Sequence, residues 1–122
     1  MHKTIDEIVR KKNEQKITVV TSYDYTMATL CDQVDILLVG DSAGMVMLGY
    51  ENTAPVTMDQ MCMFTEGVSN GRKNALIVAD LPNKSYENEY DAVTNSQRLI
   101  NAGADAVKLE GRLPEIIKAI IK

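Results

Sequence analysis

The chain has 122 residues, of which 45% are hydrophobic and 25% charged, the composition of an ordinary globular domain. Its formal net charge of −4 provides no basic stripe for a phosphate backbone, which argues against nucleic-acid binding. No apolar run approaches the roughly 18 residues of a membrane span, and the first residues lack the apolar core of a signal peptide. We therefore expect a cytoplasmic protein with no membrane partner.

Helical and strand patterns alternate along the chain. The capping box Thr4 to Glu7 opens a helix predicted at about residues 4–15, with Ile5, Ile8 and Val9 on its apolar face. The glycine-, asparagine- and proline-containing segment 40–56 is predicted to be a loop. The remaining predicted elements are strands at 17–21, 36–39, 75–79 and 106–110, and helices at about 25–33, from 57 onward, at 87–101 and at 113–122.

Two residue types could be mistaken for functional sites. Cys31 and Cys62 have no C-x-x-C spacing and lie in apolar helical patterns, so we expect buried free thiols. Met58, Met61 and Val68 share one helical face with Cys62, and we expect this methionine-rich face to fill the core.

Short apolar strands that alternate with helices indicate an α/β fold made of parallel βα units. Four such units are either a small open α/β sheet or about half of a (β/α)8 barrel, which has roughly 250 residues. The chain ends inside a helical pattern at Ile120-Ile121-Lys122, without a C-terminal capping signal. We favour a single domain, residues 1–122, that forms the N-terminal half of such a barrel. The reason is the position of its acidic residues at the ends of the predicted strands.

Three carboxylates follow three different predicted strands. Asp41, Asp80 and Glu110 each lie at the carboxyl end of a strand, where sites are built in parallel α/β folds. If the three strands are neighbours, the carboxylates converge and favour a hard cation, of which Mg²⁺ suits oxygen ligands best. The alternative is that each aspartate or glutamate caps a helix or lies in a solvated turn.

Lys108 lies two residues before Glu110 in the strand pattern Ala-Val-Lys-Leu-Glu, so both side chains should point to one face. A lysine within an apolar strand is costly unless it is paired or functional. It could hold an anionic substrate, or it could extend to solvent from the end of the strand.

The motif Gly40-Asp41-Ser42-Ala43-Gly44 matches the G-x-S-x-G turn of serine hydrolases. That turn needs a helix directly after the serine, whereas the next predicted helix begins near Met58. It also needs a histidine base, and His2 is the only histidine. We therefore interpret Ser42 as a hydroxyl that orients a substrate.

Four segments together resemble the ketopantoate hydroxymethyltransferase family over about residues 4–122. They are Thr-Ser-Tyr-Asp at 21–24, Val-Gly-Asp-Ser-Ala-Gly-Met-Val-Met-Leu-Gly-Tyr-Glu-Asn-Thr-Ala-Pro-Val-Thr at 39–57, Val-Ala-Asp-Leu-Pro at 78–82 with Ser-Tyr at 85–86, and Asn-Ala-Gly-Ala-Asp-Ala-Val-Lys-Leu-Glu-Gly at 101–111. The second segment is long and specific.

This resemblance implies a (β/α)8 TIM barrel of the phosphoenolpyruvate/pyruvate superfamily, of which this chain holds the first four βα units. It implies Mg²⁺ bound by Asp41, Asp80 and Glu110, and a 2-oxoacid bound by Asp41, Ser42, Asp80 and Lys108. The implied reaction transfers a one-carbon unit from 5,10-methylenetetrahydrofolate to 3-methyl-2-oxobutanoate, giving 2-dehydropantoate for pantothenate biosynthesis. Asn83-Lys84 and Arg112 depart from the family pattern near the mouth.

The resemblance also implies that the general base, a glutamate, lies in the second half of the barrel. No catalytic residue is therefore assigned here, and we expect a truncated chain that is inactive alone. It would act as a homo-oligomer or with a complementing C-terminal half, because exposed strand edges favour pairing. The alternatives are another Mg²⁺-dependent 2-oxoacid lyase or mutase of the superfamily, and a non-catalytic oligomerising or binding remnant.

Overall fold

Four short strands lie side by side in one parallel sheet, in the order β1-β2-β3-β4. In the computed structural model, which describes residues 1–122, they are β1 (Val19–Thr21), β2 (Ile36–Val39), β3 (Leu76–Asp80) and β4 (Ala106–Lys108). Every strand pairs with the next in sequence, which confirms the predicted parallel βα units. The carboxyl ends of all four strands therefore lie at the same edge of the sheet.

Six helices connect or flank the strands: α1 (Ile5–Arg10), α2 (Tyr25–Cys31), α3 (Ala43–Leu48), α4 (Met58–Gly71), α5 (Glu89–Asn101) and α6 (Pro114–Ile121). The predicted loop at 40–56 is wrong in part, because α3 lies within it. Gly49 ends α3 in the left-handed conformation, with φ of 72°, so the glycine that suggested a loop is a helix C-cap.

The first helix is shorter than the predicted 4–15. Thr4 and Glu7 form the expected capping box, but α1 ends at Arg10. Beyond it the ammonium of Lys11 pairs with Asp35 at 2.5 Å, and Asn13 adopts a left-handed φ of 68° that ends helical geometry. No residue of α1 is buried, so its predicted apolar face does not join the core of this chain.

The core lies between the sheet and the helices that pack on it. Met61 and Val68 of α4 are fully buried against the sheet, which confirms that this face fills the core. Both cysteines are free, as predicted, but each is only half-buried, because Cys31 and Cys62 lie at the margins of the packed faces of α2 and α4. The fully buried side chains of this core include Leu37, Val39, Ile77 and Leu99.

Two edges of the sheet have no partner strand. β1 and β4 each pair on one side only. Apolar side chains near these edges are exposed, among them Val19 on β1 and Ile117 and Ile121 on α6.

No helix combines the length and apolar character that crossing a bilayer requires.

Buried aspartates organise the amino ends of the strands. The Asp32 carboxylate accepts hydrogen bonds from the backbone N–H groups of Lys73, Asn74 and Ala75 at 2.9 to 3.1 Å. Burial opposes ionisation of Asp32, but these N–H donors outweigh it and hold its pKa below the ordinary value. Asp35, which bonds to Lys11 and Thr18, likewise has a lowered pKa.

We predict that Asp32→Ala lowers the free energy of unfolding by about 2 to 4 kcal/mol, because it leaves buried N–H groups without acceptors. Urea unfolding followed by circular dichroism measures the loss, with the exposed Glu14→Ala as a control near zero. Because the pKa of Asp32 is lowered in the folded chain, its stabilisation is present above the ordinary value of 3.8 and is lost as the pH falls through the folded pKa. A loss below about 1 kcal/mol would contradict this structural role.

Candidate active site

Strand register brings Asp80 and Lys108 together at the carboxyl ends of the sheet. Asp80 is the last residue of β3 and lies opposite Lys108, the last residue of β4. The Lys108 ammonium lies 3.0 Å from Asp80 Oδ1, and the Asp80 side chain is only 8% exposed. The strand lysine predicted to need a partner therefore has one.

The second carboxylate oxygen of Asp80 reaches the end of β2. The backbone N–H of Asp41 donates to Asp80 Oδ2 at 3.2 Å. Oδ1 is buried, and its polar partner is the Lys108 ammonium at 3.0 Å. A metal ion at this oxygen would therefore share it with Lys108 or displace the ammonium.

The Asp41 side chain lies in the electrostatic field of this pair. Burial raises the pKa of Asp41, and the negative charges of Asp80 and Glu110 raise it further against the opposing effect of Lys108. For Lys108, burial opposes the charged form, but the contact with Asp80 and the charges of Glu110 and Asp41 outweigh it and raise its pKa. The acidic site is therefore only partly neutralised by its own lysine.

The position of Glu110 differs from the predicted one. β4 ends at Lys108, so Glu110 follows the strand rather than lying within it, and its side chain is 81% exposed. Its carboxylate lies 3.6 Å from the Lys108 ammonium. The two side chains do converge, but through the loop after β4 and not through strand alternation.

These side chains have the chemistry to bind a divalent cation, but they are not arranged as a preformed metal site. Asp41 and Asp80 supply carboxylate oxygens, the ligands that Mg²⁺ prefers, and Asp80 Oδ1 already contacts one cation, the Lys108 ammonium. Yet no three His, Cys, Asp or Glu side chains are grouped closely enough to hold one ion as they stand. Since the ammonium of Lys108 lies between Asp80 and Glu110, it occupies the position where the third carboxylate would otherwise approach.

Ser42 directly precedes α3, so the expectation of a delayed helix after it is wrong. Strand, turn and helix follow one another here as in a nucleophile elbow. The partner of Ser42 is nevertheless a phenol, since Tyr23 Oη and Ser42 Oγ lie 2.7 Å apart. His2 pairs with Asp105 at the amino ends of the strands and cannot act as a base for Ser42.

Most of the predicted site residues line a cavity of about 140 Å³. Ser42 lies beside it and not among the residues that line it. The lining residues are Asp41, Thr53, Ala54, Asp80, Leu81, Asn83, Tyr86, Lys108 and Glu110.

Sequence reasoning missed three polar residues of this region: Tyr23, Thr53 and Tyr86. All three lie within the segments that resemble the family, which was the available signal, and Thr53 also lies in the predicted loop. Of the residues that depart from the family pattern, Asn83 lines the cavity, and Lys84 adopts a left-handed φ of 63°. Arg112 is exposed.

Fold and site together define an α/β protein of successive parallel βα units with an acidic cavity at the carboxyl ends of its strands. The model of the ketopantoate hydroxymethyltransferase family matches residues 2–122, and the chain belongs to that family. This confirms the predicted resemblance.

Similar proteins named 3-methyl-2-oxobutanoate hydroxymethyltransferase come from archaea and bacteria. The Nitrosopumilus maritimus (strain SCM1) protein is 64% identical over 99% of this chain and 46% of its own length. The Cenarchaeum symbiosum (strain A) protein is 63% identical over 82% of this chain and 38% of its own length. The Clostridium botulinum (strain Langeland / NCTC 10281 / Type F) protein is 52% identical over 100% of this chain and 47% of its own length. The chain thus spans about half the length of these curated relatives.

We predict opposite shifts in the Asp41 pKa from two neighbouring substitutions. Asp80→Asn removes a like charge and should lower the pKa of Asp41 toward 3.8, whereas Lys108→Met removes the opposing cation and should raise it. Titration of the Asp41 carboxyl ¹³C resonance measures both. If neither variant changes the midpoint of the Asp41 titration, the charges of Asp80 and Lys108 do not act on the pKa of Asp41 as described.

Proposed function

We propose that this chain supplies the N-terminal half of a ketopantoate hydroxymethyltransferase, which transfers a one-carbon unit from 5,10-methylenetetrahydrofolate to 3-methyl-2-oxobutanoate. The observation that carries the proposal is that Asp41, Asp80, Lys108 and Glu110 line one cavity in a member of this family. The names of the relatives support the acceptor, and the resemblance supports the folate donor.

The cavity favours a small anion that arrives with a cation. Asp41 and Asp80 would hold Mg²⁺ through carboxylate oxygens, with Glu110 at the rim. A bound Mg²⁺ supplies Lewis-acid polarisation of the oxygens of the 2-oxoacid. Without a cation the carboxylates would repel the substrate carboxylate, which is why the proposal includes the metal.

Two other side chains would bind and orient the 2-oxoacid. Lys108 places an ammonium where negative charge develops on the substrate oxygen, and an already fixed charge stabilises that change without reorganisation. Ser42 presents a hydroxyl whose direction is set by Tyr23 at 2.7 Å, so it can hold the substrate in one orientation.

The unpaired edges of the sheet support a half barrel. β1 and β4 both run parallel to the rest of the sheet and both carry exposed apolar neighbours. Further parallel βα units, from a complementing chain or from another copy, would cover these edges and close the barrel. The relatives are about twice as long as this chain, which agrees in size with four more units.

We predict that the chain binds Mg²⁺ and that Asp80→Ala weakens binding at least about tenfold, because it removes a buried ligand and the closer of the two carboxylates beside Lys108. Isothermal titration calorimetry measures the affinity. Asp6→Ala, on α1 at the opposite end of the sheet, is the matched control and should bind as the unaltered chain does. If the unaltered chain has no Mg²⁺ affinity, the metal assignment fails and a non-catalytic role is favoured.

We also predict that the chain alone does not catalyse deuterium exchange at C3 of 3-methyl-2-oxobutanoate with Mg²⁺ in D₂O. The reason is that the proposed general base lies in the second half of the barrel, outside these 122 residues. Proton NMR of the C3 signal follows the exchange. Adding the C-terminal half of the Nitrosopumilus maritimus relative should produce exchange, and Asp80→Ala should abolish it. Exchange by the chain alone would contradict the proposed division of the site.

A further inference from the structure

In the loop after β4, the backbone of Glu110 makes its hydrogen bonds to a single side chain, that of Tyr86. The backbone N–H of Glu110 donates to Tyr86 Oη at 3.3 Å, and Tyr86 Oη donates to the Glu110 carbonyl at 3.4 Å. No other hydrogen bond involves the backbone of Glu110. Gly111, which follows, has a positive φ of 115°, so the chain turns immediately after this contact.

Tyr86 is itself firmly placed. Its ring is half-buried and packs against the core. The preceding residue, Ser85, is buried, and its hydroxyl donates to the Pro82 carbonyl at 2.7 Å. Asn95 of α5 donates to the Ser85 carbonyl at 2.8 Å. The hydroxyl of Tyr86 therefore projects from a turn that is bonded both within itself and to a helix.

We infer that Tyr86 is a positioning residue, which holds Glu110 at the rim of the cavity beside Lys108. Tyr86 lines the same cavity, so its hydroxyl bridges the loop after β3 to the loop after β4 across the site. Because the Glu110 side chain is largely exposed, its own contacts cannot fix it, and the phenol limits how far the carboxylate moves from the ammonium. Groups that orient a metal ligand alter metal affinity without touching the metal.

Tyr86→Phe tests this directly, because it keeps the packed ring and removes only the hydroxyl. Amide hydrogen exchange measured by NMR should show the Glu110 N–H exchanging roughly tenfold faster in Tyr86→Phe. Tyr90→Phe on α5, where the ring is 78% exposed, is the control and should leave that rate unchanged. An unchanged Glu110 rate in Tyr86→Phe overturns the inference.

The consequence for metal binding rests on the proposed function and is measured separately. Tyr86→Phe should weaken Mg²⁺ affinity by about tenfold, and the same substitution in a Glu110→Gln background should have no further effect. Equal effects in both backgrounds would overturn a role through Glu110. If Glu110 exchange accelerates in Tyr86→Phe but the unaltered chain binds no Mg²⁺, Tyr86 positions Glu110 and the proposed metal site is wrong.

Discussion

The Asp80–Lys108 ion pair connects the fold of this protein to its candidate site. It forms because β3 and β4 pair in parallel with these two residues opposite each other at the carboxyl ends. A lysine on a short strand is stabilised there by the carboxylate across from it, and the nearly buried carboxylate is stabilised by the lysine. Asp41 then joins through its backbone N–H, which adds the end of β2. A change of strand register would separate all three.

The two ends of the sheet use acidic residues in different ways. At the amino ends, Asp32 and Asp35 accept hydrogen bonds from backbone and side-chain donors, which lowers their pKa values and favours stability. At the carboxyl ends, Asp41 has a raised pKa, and the carboxylate of Asp80 is shared between the Lys108 ammonium and the Asp41 N–H. A raised carboxylate pKa within a cavity is typical of a binding site.

Much of the fold could be predicted because it depends on local patterns. Apolar runs bounded by polar turns identified the four strands, and the capping box at Thr4 marked the start of α1. The short helix α3 was missed because its glycines read as loop residues, although Gly49 is its C-cap. α1 ends at Arg10, and the chain beyond it turns at Asn13, where the Lys11 side chain contacts Asp35, a residue 24 positions away.

The sequence by itself determined that Asp41, Asp80 and Glu110 follow three strands of a parallel sheet, and hence that they share one end of it. Strand periodicity and the direction of βα units are enough for that conclusion. Only the tertiary structure decided how these groups meet: Lys108 lies against Asp80, Glu110 lies in an exposed loop, and the Tyr86 hydroxyl bonds to the Glu110 backbone. Such contacts join residues far apart in the chain, and their geometry is set by packing and register, which no local pattern encodes.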